Sequence, residues 1–532
     1  MTTLDEEASL AAVMTEVSSS KPRPVVRTVV ANSVANVTRL GFTSLVAILL
    51  PAYLTHRLPI KTYGAWVLIL QLGAYVGYLD FGFQAAVAKY IAEYETKRDY
   101  VGCGASASAG LVITILAGVL GVLLSLILAW RVPGIFRTMP SSLYHDVRLS
   151  VIFVGVSLSV SLATSAIAAI FLGLQRYQIP MALTIISRLL FALVIWAAVA
   201  LHSSLAVMGA AAACVNLITG LLQIVAWRRI ANHIRLSLRS IDVMMLKRML
   251  RYCAVLGVWS VCTLFISGLD LTIVGHYSFS ETAYYAIANS PTTFILMIIA
   301  ALMGPLFPAA SALSAQRSSA QMGAVLLRAT RYATITTLLT GLPLLIAGYV
   351  ILRLWVGPVY ALHSLRFLRI LVLANIVRQL CSPYNTMVVA TARQWVATAS
   401  PVTEGIVNLA SSIWLVQHQG ALGVALGTLL GAVVGVAMHF GMSMRYTQAN
   451  LRISRAELFV KGMLRPIAIA IPSVLLVWRW WPTGMPSMSP QLYGGWIIST
   501  LLLVWYVGMS REDRDLIARL VNGKINPFQE RT

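Results

Sequence analysis

Long apolar runs recur along almost the whole of this 532-residue chain, and they constrain its fold more than any other feature. Each run is about 20 residues long, the length that an α-helix needs to cross a bilayer core of about 30 Å. Gly, Ser and Thr are spread through the runs, which lack the short alternating pattern of barrel strands. Because backbone polar groups in lipid must bond internally, we predict an all-α integral membrane protein.

Composition agrees with this fold class. The chain is 58% hydrophobic and only 11% charged, which excludes a soluble multidomain protein. We count fourteen apolar runs and predict about fourteen transmembrane helices, at residues 28–54, 62–80, 103–130, 148–173, 180–201, 205–227, 252–276, 284–313, 327–352, 364–392, 397–417, 421–444, 461–479 and 491–509.

The basic residues fix the predicted orientation. With the N-terminus inside, 28 of the 40 Lys and Arg residues fall in tails and loops on the inner side, and 9 fall in outer loops. This bias is the positive-inside rule, and it predicts a multi-pass protein with both termini in the cytosol. Anionic lipid headgroups are a sufficient partner for the net charge of +22, so we predict contact with membrane lipids and no binding of nucleic acid.

The runs group into two six-helix halves, as in many transporters. Arg176 before Pro180 is matched by Arg393 before Pro401, in corresponding loops of the two halves. We predict a cytosolic tail at 1–27 without a signal peptide, an N-lobe at 28–227, a basic amphipathic cytosolic linker at 228–251, a C-lobe at 252–445, two last helices with a basic loop at 446–510, and a cytosolic tail at 511–532. The linker is either an interfacial helix or a solvated segment.

Motifs for catalysis and for metal binding are missing from the sequence. The five cysteines lack metal-ligand spacing, and there is no phosphate-cradling Gly-rich loop, catalytic triad signature or zinc-ligand cluster. The longest predicted outer loop, 131–148, is too short to hold an acceptor and catalytic carboxylates. We therefore predict a protein that is not an enzyme and that has no cofactor or metal.

Arg39 is the residue of the first run whose transfer into the membrane costs the most free energy. It lies about 18 Å from Arg27 along a helix, so it cannot easily reach water. Asn32 and Asn36 share its helical face. A charge at mid-membrane costs from ~3 to more than ~10 kcal/mol, and such residues usually face a bundle interior or a wet cavity. Arg39 therefore marks a candidate functional site.

Other polar residues lie in later runs: Arg188 in the fifth, Asp270 in the seventh, Asn375 and Arg378 in the tenth, and Glu404 in the eleventh. The first and seventh runs correspond between the halves, as do the fifth and eleventh. Three buried cations against two anions predict a central cavity that attracts anions. The alternative is structural, with Arg39 paired to Asp270 or Glu404. Asp270 lies only about 9 Å from the outer end of its run, which argues against a direct pair with Arg39. Arg188 and Glu404 could instead reach the cytosolic interface.

Four segments carry a resemblance to a known family. They are YGAW at 63–66, LDFGFQAAVAKY at 79–90, GLDLTIVG at 268–275 and GALGVALGT at 420–428. Together they are similar to segments of the polysaccharide and O-antigen flippases of the multidrug/oligosaccharidyl-lipid/polysaccharide (MOP) exporter superfamily. The resemblance implies two six-helix lobes in a V-shaped, MATE-like arrangement around a cavity that opens alternately to each side, plus two extra C-terminal helices.

The resemblance also implies a function. A polyprenyl-diphosphate-linked oligosaccharide would cross the bacterial inner membrane for synthesis of O-antigen, capsule or exopolysaccharide. It implies three sets of site residues: Arg39, Asn32, Asn36, Arg188, Arg378 and Asn375 as substrate-binding groups, Asp270 and Glu404 as coupling or gating groups, and Asp80 and Lys89 at the cytosolic mouth. Asp80 and Lys89 would guide the headgroup or merely cap helices. H⁺, Na⁺ or the membrane potential would drive transport.

Two alternative functions remain open at this stage. A MATE-like cation-coupled drug or metabolite antiporter would share the fold, but it should place carboxylates rather than three arginines in the cavity. A membrane glycosyltransferase or ligase would be an enzyme. We expect a monomer, with a polysaccharide polymerase and chain-length proteins as candidate partners. The last two helices either form a groove for the lipid tail or pad the second lobe.

Overall fold

The structure is a computed structural model, and every regular element that it describes is helical. It describes residues 41–234, 236–237, 243–316, 318–391, 394–479, 490–509 and 514. Ten of the described helices are long and apolar enough to cross a membrane. The predicted all-α membrane fold is confirmed, whereas the total of fourteen spans stays a prediction.

Helical segments in the described part follow the predicted runs closely, and we number them in chain order. They are α1 (41–57), α2 (Ile60–Thr96), α3 (Tyr100–Ile135), α4 (Ser141–Gly173), α5 (Gln178–Ala200), α6 (Leu205–Ile230), α7 (Val243–Gly268, continued by Asp270–Tyr277), α8 (Phe279–Met303, continued by Leu306–Ala315), α9 (Ser319–Val356), α10 (Pro358–Ala390), α11 (Gln394–Gln419), α12 (Ala421–Leu451), α13 (Arg465–Arg479, after a π-helical turn at Leu458–Leu464) and α14 (Pro490–Gly508).

The two halves repeat the same packing. In the N-lobe α2 packs on α4, α3 on α4, α4 on α6 and α5 on α6; in the C-lobe the same pairs recur six helices later. The shared pattern means that α2–α6 and α8–α12 are packed in the same way. It confirms the six-plus-six organisation that the sequence predicts.

One apolar core joins the two lobes at one end of the molecule, which we call the closed end. It includes Trp66 and Phe136 of the N-lobe with Tyr285 and Phe367 of the C-lobe. At the opposite end, which we call the split end, each lobe has a core of its own. In the predicted orientation the split end is cytosolic. In that orientation the lobes would meet mainly in the outer half of the membrane.

Polar contacts reinforce the closed end. Gln71 Nε2 of α2 donates to the carbonyl of Gly268 in α7 over 2.7 Å. The backbone N–H of Phe279 donates to Thr138 Oγ1 over 3.2 Å. Tyr63 of α2 packs edge-on against Tyr360 of α10, with ring centroids 6.1 Å apart. Opening this end would break contacts of both kinds.

Helix α7 belongs to both lobes. Its first part places Met245, Met249 and Cys253 in the split-end core of the N-lobe. Its middle, the π-helical turn Leu264–Gly268, packs on α11 in the C-lobe. Within the predicted linker at 228–251, α6 continues to Ile230 and α7 begins at Val243, and the predicted interfacial helix between them stays a prediction. The described basic residues, Arg228 and Arg229 of α6 and Lys247, Arg248 and Arg251 of α7, lie at the ends of these two spans.

Helix α2 breaks where it meets α7. Phe81 and Gly82 adopt left-handed backbone angles, with φ of 41° and 79°. A Cβ on Gly82 would lie 2.5 Å from the Leu256 side chain, so only glycine permits both the angle and the approach. The close approach of α2 and α7 at this point therefore depends on Gly82 of the LDFG segment.

The last two helices lie on the second lobe. In the described residues α13 and α14 pack on each other and on α9. Arg331 Nε of α9 donates to the carbonyl of Lys461 over 3.4 Å. These contacts place the two helices against the C-lobe, and a groove for the lipid tail stays a prediction.

Candidate functional site

The first predicted site helix is described only in part. Arg39, Asn32 and Asn36 lie outside the described residues, so their predicted role stays a prediction. The described part of α1 lies against the C-lobe, because Trp355 Nε1 of α9 donates to the carbonyl of Ile48 over 2.7 Å. The segment that leads to Arg39 therefore runs along α8 and α9.

Asp270 is the centre of a buried hydrogen-bond cluster in the C-lobe. It begins the second part of α7 and is 7% exposed. Thr428 Oγ1 of α12 donates to its carboxylate over 3.0 Å, and Tyr285 OH of α8 donates over 3.4 Å. A carboxylate at the first turn of a helix is also stabilised by the helix dipole. Among the described residues, no Lys, Arg or His lies within ion-pair distance of Asp270.

Asn408 of α11 ties this cluster to the break in α7. Its Nδ2 donates to the carbonyls of Phe265 and Ile266, over 3.0 and 2.7 Å, and lies 3.4 Å from Asp270 Oδ1. A π-helical turn leaves carbonyls outside the regular i→i−4 pattern, and Asn408 satisfies two of them. The side chain of Asn408 is fully buried. The break in α7 is therefore held by a residue of another helix.

An ion pair lies one turn away on α11. Arg378 Nε of α10 donates to Glu404 Oε1 over 2.5 Å, and the two side chains are 17% and 9% exposed. Arg378 Nη1 also lies 3.5 Å from Asn375 Oδ1. Arg378 Nη2 is buried and has no hydrogen-bond partner in the described structure. The structure thus brings together three predicted site residues, with the charge of Arg378 matched by Glu404.

A stripe of glycines on α12 makes room for these groups. Gly423, Gly427, Gly431 and Gly435 recur every fourth residue and face α11. A Cβ on Gly435 would lie 2.8 Å from Glu404 Oε2, and one on Gly427 would lie 2.8 Å from the backbone of Ser412. The polar face of α11 is therefore pressed against the backbone of α12.

The other predicted residues lie elsewhere. Arg188 is exposed on α5, so its predicted role in substrate binding stays a prediction. Asp80 ends the 3₁₀ stretch of α2 near the backbone N–H groups of Gly82 and Gln84, while its Oδ1 is buried without a hydrogen-bond partner in the described residues. Lys89 is exposed, with its ammonium 4.5 Å from the ring centroid of Tyr252 in α7. Asp80 and Lys89 thus lie where α2 meets α7.

Sequence reasoning missed three buried polar groups of the C-lobe. Thr428 and Tyr285 complete the shell of Asp270, and Arg369 of α10 is only 2% exposed. Glycine at every fourth position of α12 was a readable signal for close helix packing next to Thr428. Arg369 gave no such signal, because it lies near the outer end of a run where arginines usually reach water.

The described cluster contains two carboxylates and one guanidinium. Arg378 neutralises Glu404, and Asp270 is left with uncharged donors only. The Thr428 and Tyr285 hydroxyls and the Asn408 amide nitrogen surround Asp270 as hydrogen-bond donors, which suits a charged carboxylate. The described residues hold no group of three His, Cys, Asp or Glu that could bind a metal ion. An excess of positive charge in the cavity stays a prediction that depends on Arg39.

Comparison with known proteins shows which family and which folds this chain is similar to. The model of a family described as polysaccharide biosynthesis protein matches residues 29–314. No curated protein matches the sequence significantly.

Solved structures match over most of the chain. An inward-facing MATE-family multidrug transporter of the MOP superfamily aligns with a TM-score of 0.64 and 14% identity, over 79% of this chain and 99% of its own. The lipid II flippase MurJ, in an inward closed conformation, aligns with a TM-score of 0.64 and 13% identity, over 92% of this chain and 100% of its own. An outward-facing MATE-family structure has a TM-score of 0.58 and 14% identity, over 80% of this chain and 96% of its own. These likenesses show a MATE- and MurJ-like fold.

Proposed function

The chain belongs to the polysaccharide biosynthesis protein family, and from that premise we propose that it flips a polyprenyl-diphosphate-linked oligosaccharide across the bacterial inner membrane. It is a MOP-type flippase, a multi-pass transporter rather than an enzyme. The observation that carries the substrate proposal is the family match over more than half of the sequence. The flipped lipid would supply O-antigen, capsule or exopolysaccharide synthesis. In this proposal both termini of the protein lie in the cytosol.

Alternating access accounts for the separation of the lobes. The closed end carries a shared apolar core and the split end carries two separate cores, as expected of a state open towards the cytosol. The higher TM-score with the inward-facing MATE structure than with the outward-facing one supports the same assignment. In the proposed cycle the closed end opens while the split end closes, and the substrate headgroup changes sides between the lobes.

Coupling falls on Asp270 in this proposal. Glu404 is already paired with Arg378, whereas Asp270 is buried among uncharged donors from α8, α11 and α12. Binding of H⁺ or Na⁺ at Asp270 would change the forces across the break in α7, which also packs on the N-lobe. An Asp270→Asn variant should therefore keep binding lipid-linked sugar but lose its dependence on an ion gradient. Proteoliposomes with a Na⁺ gradient or a pH gradient identify the ion.

Transport itself is tested with purified protein in proteoliposomes. A fluorescent lipid-linked oligosaccharide should move to the opposite leaflet with wild-type protein, and more slowly with Arg39→Ala and Arg378→Ala proteins present at wild-type levels. Equal rates in these variants would contradict the arginine-based mechanism. Export of cationic dyes without movement of the lipid-linked sugar would identify a drug antiporter instead.

A further inference from the structure

A polar pocket of about 380 Å³ opens at the split end of the C-lobe, between the second part of α8, the start of α9 and the ends of α10 and α12. Its volume is large enough for several water molecules. Five of its lining residues carry a hydroxyl or an amide: Ser314, Ser319, Thr391, Thr447 and Asn450. Asn450 is exposed, whereas Thr447 is only 2% exposed. The pocket therefore connects the surface of the protein to a buried hydroxyl of α12.

The buried hydroxyl of Thr447 is paired with a tyrosine of α10. Thr447 Oγ1 and Tyr384 OH lie 2.8 Å apart, and either of them can be the donor. The side chain of Tyr384 is buried, and its ring packs edge-on against the imidazole of His439, with ring centroids 5.4 Å apart. Two buried residues thus connect the polar pocket to a histidine inside the C-lobe.

His439 is the buried histidine of this protein. All eight histidines lie in the described part of the chain, and the other seven are at least partly exposed. His439 begins the π-helical turn His439–Ser443 of α12, and such turns are frequent at functional sites. Its Nδ1 is buried and has no hydrogen-bond partner in the described structure. Because buried polar atoms are nearly always hydrogen-bonded, this exception calls for a role other than stability.

Besides Tyr384, charged side chains approach His439 from two elements. Arg455, which follows α12, donates from Nη1 to the carbonyl of the residue after His439 over 3.1 Å. Glu404 of α11 lies one turn earlier, because a Cβ on Gly435 would come within 2.8 Å of its Oε2. No ion pair of the described residues includes His439. Glu404 is therefore the carboxylate at the next level of α12.

The four groups follow α12 from the middle of the C-lobe to its split end. From Gly435, beside Glu404, to Thr447 the helix rises about 18 Å. A carboxyl, an imidazole, a phenol and an alcohol succeed each other over this rise, and each of them can donate or accept a proton. The buried polar side chains described in the N-lobe are serines and threonines alone. The C-lobe therefore holds a series of proton-exchanging groups that the described N-lobe does not repeat.

We propose that Glu404 exchanges a proton with the cytosol through His439, Tyr384, Thr447 and the polar pocket. On release, the Glu404 carboxyl gives its proton to His439 and becomes a carboxylate. The imidazolium gives a proton to water at the Tyr384 and Thr447 hydroxyls, and water in the pocket carries it out. The unpartnered Nδ1 of His439 provides the position for a bridging water.

The ion pair of Arg378 and Glu404 is the product of this release, in a state that is open at the split end. A protonated Glu404 would leave the charge of Arg378 available to an anionic headgroup. The inference rests on the proposed function and adds to it a control of the charge of Arg378. The route does not pass through Asp270, so it is independent of the ion that binds there.

Time-resolved infrared spectroscopy follows this proton without any substrate. Wild-type protein in nanodiscs is shifted from neutral to acidic pH, and the carbonyl stretch of protonated carboxyl groups is recorded. We expect a band that Glu404→Gln removes and Asp270→Asn retains. A wild-type spectrum without such a band, or a band that only Asp270→Asn removes, would overturn the proposal.

A histidine pair tests the route. His439→Gln keeps a hydrogen-bonding side chain but cannot exchange a proton, so the Glu404 band should appear about a hundredfold more slowly, the lower end of what a positioned proton-transfer group contributes. His418→Gln is the matched control, because His418 is exposed at the end of α11. It should keep the wild-type rate. Equal rates in His439→Gln and wild-type protein would contradict the route.

Two hydroxyl variants test the same route where His439→Gln fails to fold. Tyr384→Phe and Thr447→Val should both slow the Glu404 band, whereas Tyr446→Phe, at a residue that is 64% exposed beside Thr447, should not. The final height of the band at each pH should stay that of wild-type protein, because a route changes the rate and not the equilibrium. A changed final height with an unchanged rate would show a structural role and overturn the proposal.

Transport of the fluorescent lipid-linked oligosaccharide is measured on the same preparations. If wild-type protein transports this lipid while the route variants load Glu404 at the wild-type rate, the inference fails and the proposed function stands. If wild-type protein transports no such lipid, the proposed function fails, and the infrared rates still decide whether the proton route exists.

Discussion

The two lobes share one packing pattern but bury different kinds of polar group. In the N-lobe, the buried polar side chains among the described residues are serines and threonines. In the C-lobe they also include Asp270, Arg369, Glu404 and Asn408. The same six-helix architecture therefore tolerates a purely hydroxyl interior and a charged one. Because of this difference, the coupling site that we propose falls in the C-lobe.

The hydrogen bonds show what this difference means for stability. Ser125 and Ser159 of the N-lobe donate to the carbonyls of Gly121 and Gly155 on their own helices. In the C-lobe, Asn408 and Thr428 bond to groups on α7 from α11 and α12. An N-lobe helix thus satisfies most of its hydroxyls by itself, although Ser150 donates to the carbonyl of Leu205. The C-lobe helices depend on each other.

The largest expected effect comes from breaking the ion pair. Arg378→Met should destabilise the protein by about 3–5 kcal/mol, because Glu404 would be left charged and buried without its partner. Arg378→Met combined with Glu404→Met should recover most of the loss. Thermal unfolding in detergent, followed by intrinsic fluorescence, measures both. A double variant as unstable as the single one would show that the pair itself, and not the stranded charge, matters.

Removal of the Asn408 amide should have the second-largest effect on stability. Asn408→Ala leaves two carbonyls of the π-helical turn without a donor and should cost about 3 kcal/mol, since each buried unsatisfied group costs about 1–3 kcal/mol. Hydrogen exchange should rise within Leu264–Gly268 more than in the rest of α7. Exchange that rises equally along α7 would mean that Asn408 does not hold the break specifically.

A larger residue at a glycine of α12 should lower stability less than the changes above. It also tests the difference between the two lobes directly. Gly427→Ala should destabilise the C-lobe by about 1–3 kcal/mol, because the new Cβ would press on the backbone of Ser412. Gly220→Ala in α6 is the N-lobe control, since its Cβ would lie at an ordinary 3.5 Å from Thr164 Oγ1. Its expected change is within about 0.5 kcal/mol. Equal melting temperatures for both variants would show that the C-lobe helices are not packed more tightly than those of the N-lobe.

The smallest expected effect concerns single hydroxyls. Thr428→Val deletes the 3.0 Å donor to Asp270 and should cost about 1 kcal/mol, plus a change in ion dependence of transport. Thr164→Val deletes a hydroxyl that donates to Ser161 on its own helix, so it should cost a few tenths at most. Melting and proteoliposome transport are measured together for the pair. Loss of transport in Thr164→Val protein would assign a working role to the N-lobe as well.

Much of the fold could be read from the sequence because lipid imposes one length on every span. The described helices lie where the apolar runs predict them, and the six-plus-six pairing follows from their count. The linker at 228–251 was harder, because a basic amphipathic pattern fits the ends of two spans as well as a separate interfacial helix. Asp270, Glu404, Arg378 and Asn375 were found because charge and amide groups are rare in such runs.

Which buried polar side chains contact each other could not be predicted from the sequence in the same way. The pairing of Arg378 with Glu404 depends on the rotation of α10 and α11 about their axes, which side-chain packing decides and hydropathy does not record. Thr428 is one threonine among many, and only its position opposite Asp270 distinguishes it. Arg188 is exposed on α5, and its predicted place in the cavity stays a prediction.

The shell around Asp270 also sets an order of events during synthesis. Asp270 and Thr428 are 158 residues apart, so at about 5–20 residues per second the acid waits roughly 8–30 s for this donor. Throughout that interval α7 can dock through its first part on a finished N-lobe, while its second part holds a carboxylate that α11 and α12 have not yet covered. The newborn chain therefore passes through a stage in which its first half anchors an unfinished second half.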